Sequence, residues 1–373
     1  DRIEEAKSVF DQAKSNGADG DSFDQLEKRL GHSISTTLKT QEPPENSLQL
    51  LLKLYNQGKV HNLLEQARPF LKDYPSSATI HNLLGAVNQK LGNLEEAVEG
   101  YRKAISFRPD HAEAYSNMGA ALREQGKQAE ALDVLNKAIS IKPDYFQAYN
   151  NLGNVFRDQG QSLRAARAYE KVISIEPNYS NAYYNLGLVH AENNNLTEAK
   201  QAFKKAITIR PDYAEAYNEI GIILCEQDKH KEAIKSYKKA ISIQPNYAEA
   251  YNNMGIAYRD RGKSNKAIEA FQKAITIRPD YARAFLNLST SARYEVEDLE
   301  LVRSEKLYNK NGLTVEARCD FSFALGKMYE DLGDFAKAFE CFKAANTLRK
   351  KSTHYSTEPE LEKFHKIKLM QKK

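Results

Sequence analysis

Tryptophan is absent from the 373 residues, cysteine occurs three times, and no apolar run approaches the roughly 20 residues needed to cross a bilayer. Three thiols, Cys225, Cys319 and Cys341, are too few and too scattered for a disulfide framework or a zinc site. They fit a reducing compartment, and the expected location is cytoplasmic. Strong charge of one sign is missing too. The formal net charge is +4, and residues 343–373 alone hold nine Lys/Arg against three Glu, so the remainder is near neutral or slightly acidic. That balance is unlike a dedicated nucleic-acid binder. Phosphate loops, nucleotide-binding glycine fingerprints, zinc-protease helices and nucleophile elbows do not occur, and the eight histidines are scattered. The chain therefore reads as a non-enzyme with no cofactor or metal of its own.

What the chain has is period. Pro75, Pro109, Pro143, Pro177, Pro211, Pro245 and Pro279 stand 34 residues apart, and so do Gly85, Gly119, Gly153, Gly187, Gly221 and Gly255. Twelve residues beyond each of these glycines comes an alanine, from Ala97 to Ala267. Self-similarity of this kind marks a repeat array whose core grows by stacking, so length counts repeats rather than domains. With 41% hydrophobic residues, 21 Tyr and 15 Phe, there is enough apolar material for a continuous core. Within residues 112–145, Tyr115, Met118, Gly119 and Leu122 form the stripe of one helix; Ala131, Leu135, Ala138 and Ile139 form that of a second. Gln125-Gly126-Lys127 turns between them, and Pro143 ends the second because the residue before a proline avoids helical geometry. Two antiparallel helices per unit follow, with Gly and Ala small where helices cross closely.

Seven such units fill residues 44–281. The first, 44–77, is diverged and carries Leu51 and Leu63 at the small positions; Asn194 and Asp228 replace the turn glycine in two others. Residues 1–43 read as an N-terminal helical segment, with Ile3, Ala6, Val9, Phe10 and Ala13 on one face, followed by a linker ending at Pro43-Pro44. Residues 282–318 read as a half-repeat, with Phe285, Leu288 and Ser289, and an irregular helical insertion anchored by Leu299, Val302 and Leu307. An additional unit out of register occupies 319–352, and a basic C-terminal helix 353–373. The chain starts with Asp in mid-pattern, which suggests a piece of a longer protein.

Tyr149, Leu152, Gly153, Ala165, Tyr169 and Pro177-Asn178 together resemble the tetratricopeptide repeat, and the match is dense across 44–281. The resemblance implies an all-α fold, a right-handed superhelical solenoid of antiparallel helix pairs, whose concave first-helix surface binds a protein or peptide in extended conformation. Asn117, Asn151, Asn185, Asn253 and Asn287 occupy one place in the first helix, with Asn82 one residue off this frame and Glu219 as a break. An amide side chain carries both donor and acceptor and can pair with both backbone groups of an extended peptide residue. The bland alternative is a solvated consensus residue, and both remain open at this point. Asn154, Asn218, Asn252, Glu113, Gln147, Asn181, Tyr184, Glu215 and Glu249 would line the same groove, which suits a polar or basic peptide. Glu215 and Glu219 stand where carboxylate-clamping members of the family need cations, which argues against a C-terminal carboxylate as ligand. Tyr145, Tyr179, Tyr213, Tyr247 and Tyr281 close successive units, and their period favours packing between repeats over ligand stacking.

Residues 318–339, followed by Ala344-Ala345-Asn346-Thr347-Leu348-Arg349-Lys350, resemble the piece that joins repeats to the catalytic domain in bacterial tetratricopeptide-repeat sulfotransferases. Pro43-Pro44 followed by Leu54-Tyr55-Asn56-Gln57-Gly58 is similar to the start of that array. The resemblance implies a recruiting arm, with a phosphosulfate donor only if a catalytic domain follows. Three functions stay open: a binding scaffold, an arm of such an enzyme, or a self-assembling module.

Overall fold

A computed structural model describes residues 42–295 and 299–352; the helices expected over 2–15 and 353–373 lie outside the described residues, as does the linker up to residue 41. Among the described residues there are eighteen α-helices and no strand. The chain divides into two compact units, Asp1–Val189 and His190–Lys373.

In the first unit, α1 (Glu45–Asn56) packs on α2 (Val60–Asp73), α3 (Ala78–Leu91) on α4 (Leu94–Phe107), α5 (Ala112–Glu124) on α6 (Gln128–Ile141), and α7 (Phe146–Asp158) on α8 (Ser162–Ile175). Each pair also stacks on the next through its second helix; Leu51, Leu54, Leu63, Leu83 and Val87 form one core cluster at the first pair, and a second runs from α4 onward. Tyr101, Leu135 and Tyr169, all fully buried, lie along it with Met118, Leu122, Val155 and Phe156. Helix α9 (Ser180–Glu192) begins in this unit and contributes Val189 to the same core.

The small positions have a direct cause. A Cβ added to Gly153 would stand 2.5 Å from the Tyr169 ring, and one on Gly119 would stand 2.6 Å from Leu135. The glycine of the first helix thus leaves the space that the large residue of the second helix fills. A ring buried there contributes on the order of 2–3 kcal/mol. Gly100, outside the periodic set, adds a closer crossing: its Cβ would meet the backbone of Gly85 at 3.0 Å. The first pair works differently. Leu51 and Leu63 are both fully buried where other units are small, and Pro69 lies inside α2.

The second unit continues with α10 (Leu196–Ile209), α11 (Ala214–Glu226) paired with α12 (His230–Ile243), and α13 (Ala248–Asp260) paired with α14 (Ser264–Ile277). The same glycine logic holds, with Gly221 against Tyr237 and Gly255 against Phe271. At the turns, Asn194 and Asp228 take the left-handed φ of +60° and +58° that Gly126 takes at +77°. The hydrogen bond that closes the turn survives: Lys229 N donates to Leu224 O at 2.8 Å as Lys127 N does to Leu122 O at 2.9 Å. Asn and Asp tolerate this conformation better than other side chains.

After α14 the regular alternation stops. Helix α15 (Ala282–Ser289) has eight residues and packs against α17 (Val315–Asp331), with α16 (Leu299–Tyr308) also on α17. The Phe285 and Phe321 rings meet at 5.4 Å between centroids, and Arg283 pairs with Asp320 at 2.8 Å. One expectation needs correction here. The insertion is anchored by Leu301 and Tyr294, whereas Leu299 and Val302 are exposed: the inward face of α16 follows Leu301, Ser304 and Tyr308. Helix α17 begins at Val315, ahead of residue 319, and Thr314 caps it by accepting from Ala317 N at 3.1 Å. Helix α18 (Phe335–Ser352) closes the pair, with Phe342 seated against Gly326.

Candidate functional site

Two adjacent positions on the first helix of each pair build the candidate site. One carries Asn82, Ser116, Asn150, Asn218 and Asn252; the next carries Asn117, Asn151, Asn185, Asn253 and Asn287. Because neighbouring first helices lie side by side, a residue of the second set reaches the first set of the preceding repeat, 35 residues back. In the first unit, Asn117 Nδ2 donates to Asn82 Oδ1 at 3.1 Å, Asn151 Nδ2 to Ser116 Oγ at 3.1 Å, and Asn185 Nδ2 to Asn150 Oδ1 at 3.1 Å. Within the second unit, Asn253 Nδ2 donates to Asn218 Oδ1 at 3.0 Å and Asn287 Nδ2 to Asn252 Oδ1 at 2.8 Å. The asparagines therefore form a ladder that stitches repeat to repeat through side-chain amides.

This splits the expected groove residues. Asn117, Asn151, Asn185 and Asn253 are half-buried. Each spends one amide N–H on its neighbour, and an amide has further donor and acceptor capacity. Asn218, Asn252 and Asn287 are 3%, 2% and 9% exposed, so in this conformation they stand between helices and not on an open face. Burial commits them to the ladder, Asn218 and Asn252 as acceptors and Asn287 as a donor, because a buried amide must find its partners inside the protein. Asn154 is drawn inward as well, accepting the Tyr169 hydroxyl at 2.8 Å.

First-helix positions in both units also carry carboxylates. Glu113 accepts from Asn82 Nδ2 at 3.0 Å, and Glu249 pairs with Arg278 at 2.5 Å. Glu219 is half-buried and accepts from Asn218 Nδ2 at 3.3 Å. Burial pushes its carboxyl above the usual range, the Asn218 hydrogen bond opposes this, and Glu226 adds to it. Of the tyrosines that close units, Tyr145, Tyr213, Tyr247 and Tyr281 sit at the N-caps of the next first helices. Tyr145 packs against the first unit's core and burial pushes its hydroxyl up to about 12; Tyr247 packs beside Ala214, Ala240 and Ala250. The Arg210 and Arg278 guanidinium groups lie over the Tyr213 and Tyr281 rings at 3.3 and 3.6 Å.

Two features escaped the reading of the sequence. The acceptor set alternates in identity, so no single residue type betrays it. Glu42, assigned to a linker, is bound to Arg108 at 2.5 Å, to Thr79 N at 3.2 Å and to the Ser77 hydroxyl, and Pro43 beside it is buried.

Family models described as the tetratricopeptide repeat match residues 76–144 and 212–280, residues 150–214, and residues 320–352. The chain is a tetratricopeptide-repeat protein. Among solved structures, that of the APC/C hetero-tetramer Cut9–Hcn1 is 16% identical, covers 80% of this chain and 59% of that one, and has a TM-score of 0.56. A tetratricopeptide repeat protein from Parabacteroides merdae is 17% identical over 66% of this chain and 98% of its own, with a TM-score of 0.51. Both show the repeat fold. YrrB, described as a TPR protein with an unusual peptide-binding site, is 26% identical over 50% of this chain and 96% of its own, with a TM-score of 0.41. No curated protein matches the chain. Among the described residues no group of three His, Cys, Asp or Glu side chains has the geometry to hold a metal ion, and no helix is long and apolar enough to cross a membrane.

Proposed function

We propose that this tetratricopeptide-repeat chain is a protein-binding scaffold that takes an extended, polar or basic peptide along its first-helix face. The observation that carries this is the set of half-exposed ladder asparagines, Asn117, Asn151 and Asn185 in the first unit and Asn253 in the second. Their side chains are fixed by the preceding repeat, so the amide groups they offer are preorganised, and less conformational entropy is lost when a peptide backbone pairs with them. The acidic residues at first-helix positions, Glu113 in the first unit and Glu215, Glu219 and Glu249 in the second, favour basic over acidic partners.

The test is Asn117, Asn151 and Asn185 all changed to Ala, assayed by fluorescence anisotropy against a peptide captured by the wild type. Affinity is expected to fall by more than about tenfold, while circular dichroism shows the helices retained. Unchanged affinity would mean that the asparagines serve the fold alone.

Two finer readings rest on particular residues. The resemblance over 318–350 would make this scaffold the substrate-recruiting arm of a sulfotransferase-type protein, with the phosphosulfate donor bound elsewhere; a reading frame continuing past Lys373 into a phosphate loop would test it. The exposed Phe335 and Phe339 on α18, 70% and 63% accessible, support self-association, which light scattering across concentration would reveal as a rising mass.

A further inference from the structure

The first unit contains a recess of about 410 Å³ between α1, α3, α4 and α5. Its size lies within the range of small-ligand sites. Its lining combines apolar and aromatic side chains, Leu52, Leu83, Tyr55 and Tyr101, with polar ones, Asn82, Asn117, Gln89 and Glu113. Asn82 and Asn117 are the first rung of the asparagine ladder, so the recess opens onto the face described above.

Its charge is decided by what has already been neutralised. Arg108 lines the recess, but Glu42 holds its guanidinium at 2.5 Å. His111 also lines it, and burial first, then the neighbouring Arg108, pushes its imidazole below the ordinary value, which disfavours a positive charge there. That leaves Glu113, which among the described residues accepts from the uncharged Asn82 amide. Nearby, Glu124 accepts from the Gln89 amide, and the Tyr101 hydroxyl donates to Gln89 at 2.8 Å. The Lys90 ammonium lies over the Tyr55 ring, 5.3 Å from its centroid, but does not line the recess, so Glu113 is the lining acid not paired with a cation. A lysine or arginine side chain has the matching form, an aliphatic stem with a cationic, donor-only head.

We propose that this recess is the anchor pocket of the peptide-binding face and receives a lysine or arginine side chain of the partner, with Glu113 as counter-ion. The stem lies against Leu52, Leu83 and Tyr55, and the head pairs with Glu113. Glu42 acts indirectly: by holding Arg108 it removes the cation that would repel the incoming one. The pocket rests on the proposed peptide-binding reading and adds the identity of the anchor.

The experiment is an array of alanine–serine hexapeptides in which one position is varied through all amino acids, probed with wild-type chain and with Glu113→Gln, Glu42→Gln and, as a control on the exposed side of α8, Glu170→Gln. Lysine and arginine peptides are expected to be retained best by the wild type, with signal reduced about tenfold or more in Glu113→Gln, reduced in Glu42→Gln and unchanged in Glu170→Gln. Glu113 is exposed, so its neutral variant keeps the fold, which circular dichroism checks. A basic preference that survives Glu113→Gln, or retention that favours other residues, would overturn the pocket while leaving peptide binding intact. Failure of the wild type to retain any peptide would overturn both.

Discussion

Gly153 shows how a single residue determines a helix pair. Its missing side chain is the space taken by the Tyr169 ring, and the Tyr169 hydroxyl is in turn held by Asn154. Gly153→Val is expected to lower stability by about 1–3 kcal/mol, read as a shift in the urea midpoint, because the ring has no free volume to enter. Glu219 offers a test by pH. Its folded-state carboxyl is raised above the ordinary value by burial, so the folded chain holds the proton more tightly than the unfolded chain. The resulting stability is present at low pH and is lost as pH rises through the folded value. Relative to Glu219→Gln, the wild type is therefore expected to become progressively less stable as pH climbs from about 4.5, with the difference then levelling off. Thermal melts of both proteins between pH 4 and 8 measure it. Gly153, Ala165 and Tyr169 were legible in the sequence because identity and period coincide there. The burial of Asn252 beside half-exposed Asn253 was not, since adjacent residues on a helix differ by about 100° in direction and both are asparagine.

Between elements, the ladder replaces part of the apolar contact that would otherwise join one first helix to the next. Asn82 is 7% exposed and sits between Asn117, from which it accepts, and Glu113, to which it donates. Asn117→Ala leaves the buried Asn82 oxygen without that donor, and a cost of about 1–3 kcal/mol is expected. A double-mutant cycle with Asn82→Ala, followed by urea unfolding, is expected to show positive coupling; strict additivity would mean the hydrogen bond contributes nothing. The donor half of this ladder was visible as a 34-residue series of asparagines. The acceptor half was hidden because Asn82, Ser116 and Asn150 share a position and not an identity. Helix α16 was misjudged for a related reason. With no neighbouring repeat to set its phase, Leu299 and Val302 looked as suitable for burial as Leu301, and only its packing on α17 distinguishes them.

Across the whole molecule, helices of similar length recur in both units with the same glycine-to-ring contacts, which is why composition and period sufficed to read an all-helical repeat array. What they did not show is where the chain departs from regularity for a chemical reason. Glu42 pairs with Arg108 across 66 residues, a separation that carries no local signal, and thereby sets the charge of the recess beside the ladder. Function is expected to follow the face on which the ladder and that recess lie. The most direct measurement is site-directed photo-crosslinking, with benzoylphenylalanine placed at Gln147 or Asn181 on the first-helix face, or at Lys137 or Glu170 on exposed second-helix positions. Crosslinks to a bound peptide are expected at Gln147 and Asn181 and not at Lys137 or Glu170; crosslinks confined to the second-helix positions would contradict binding along the asparagine ladder.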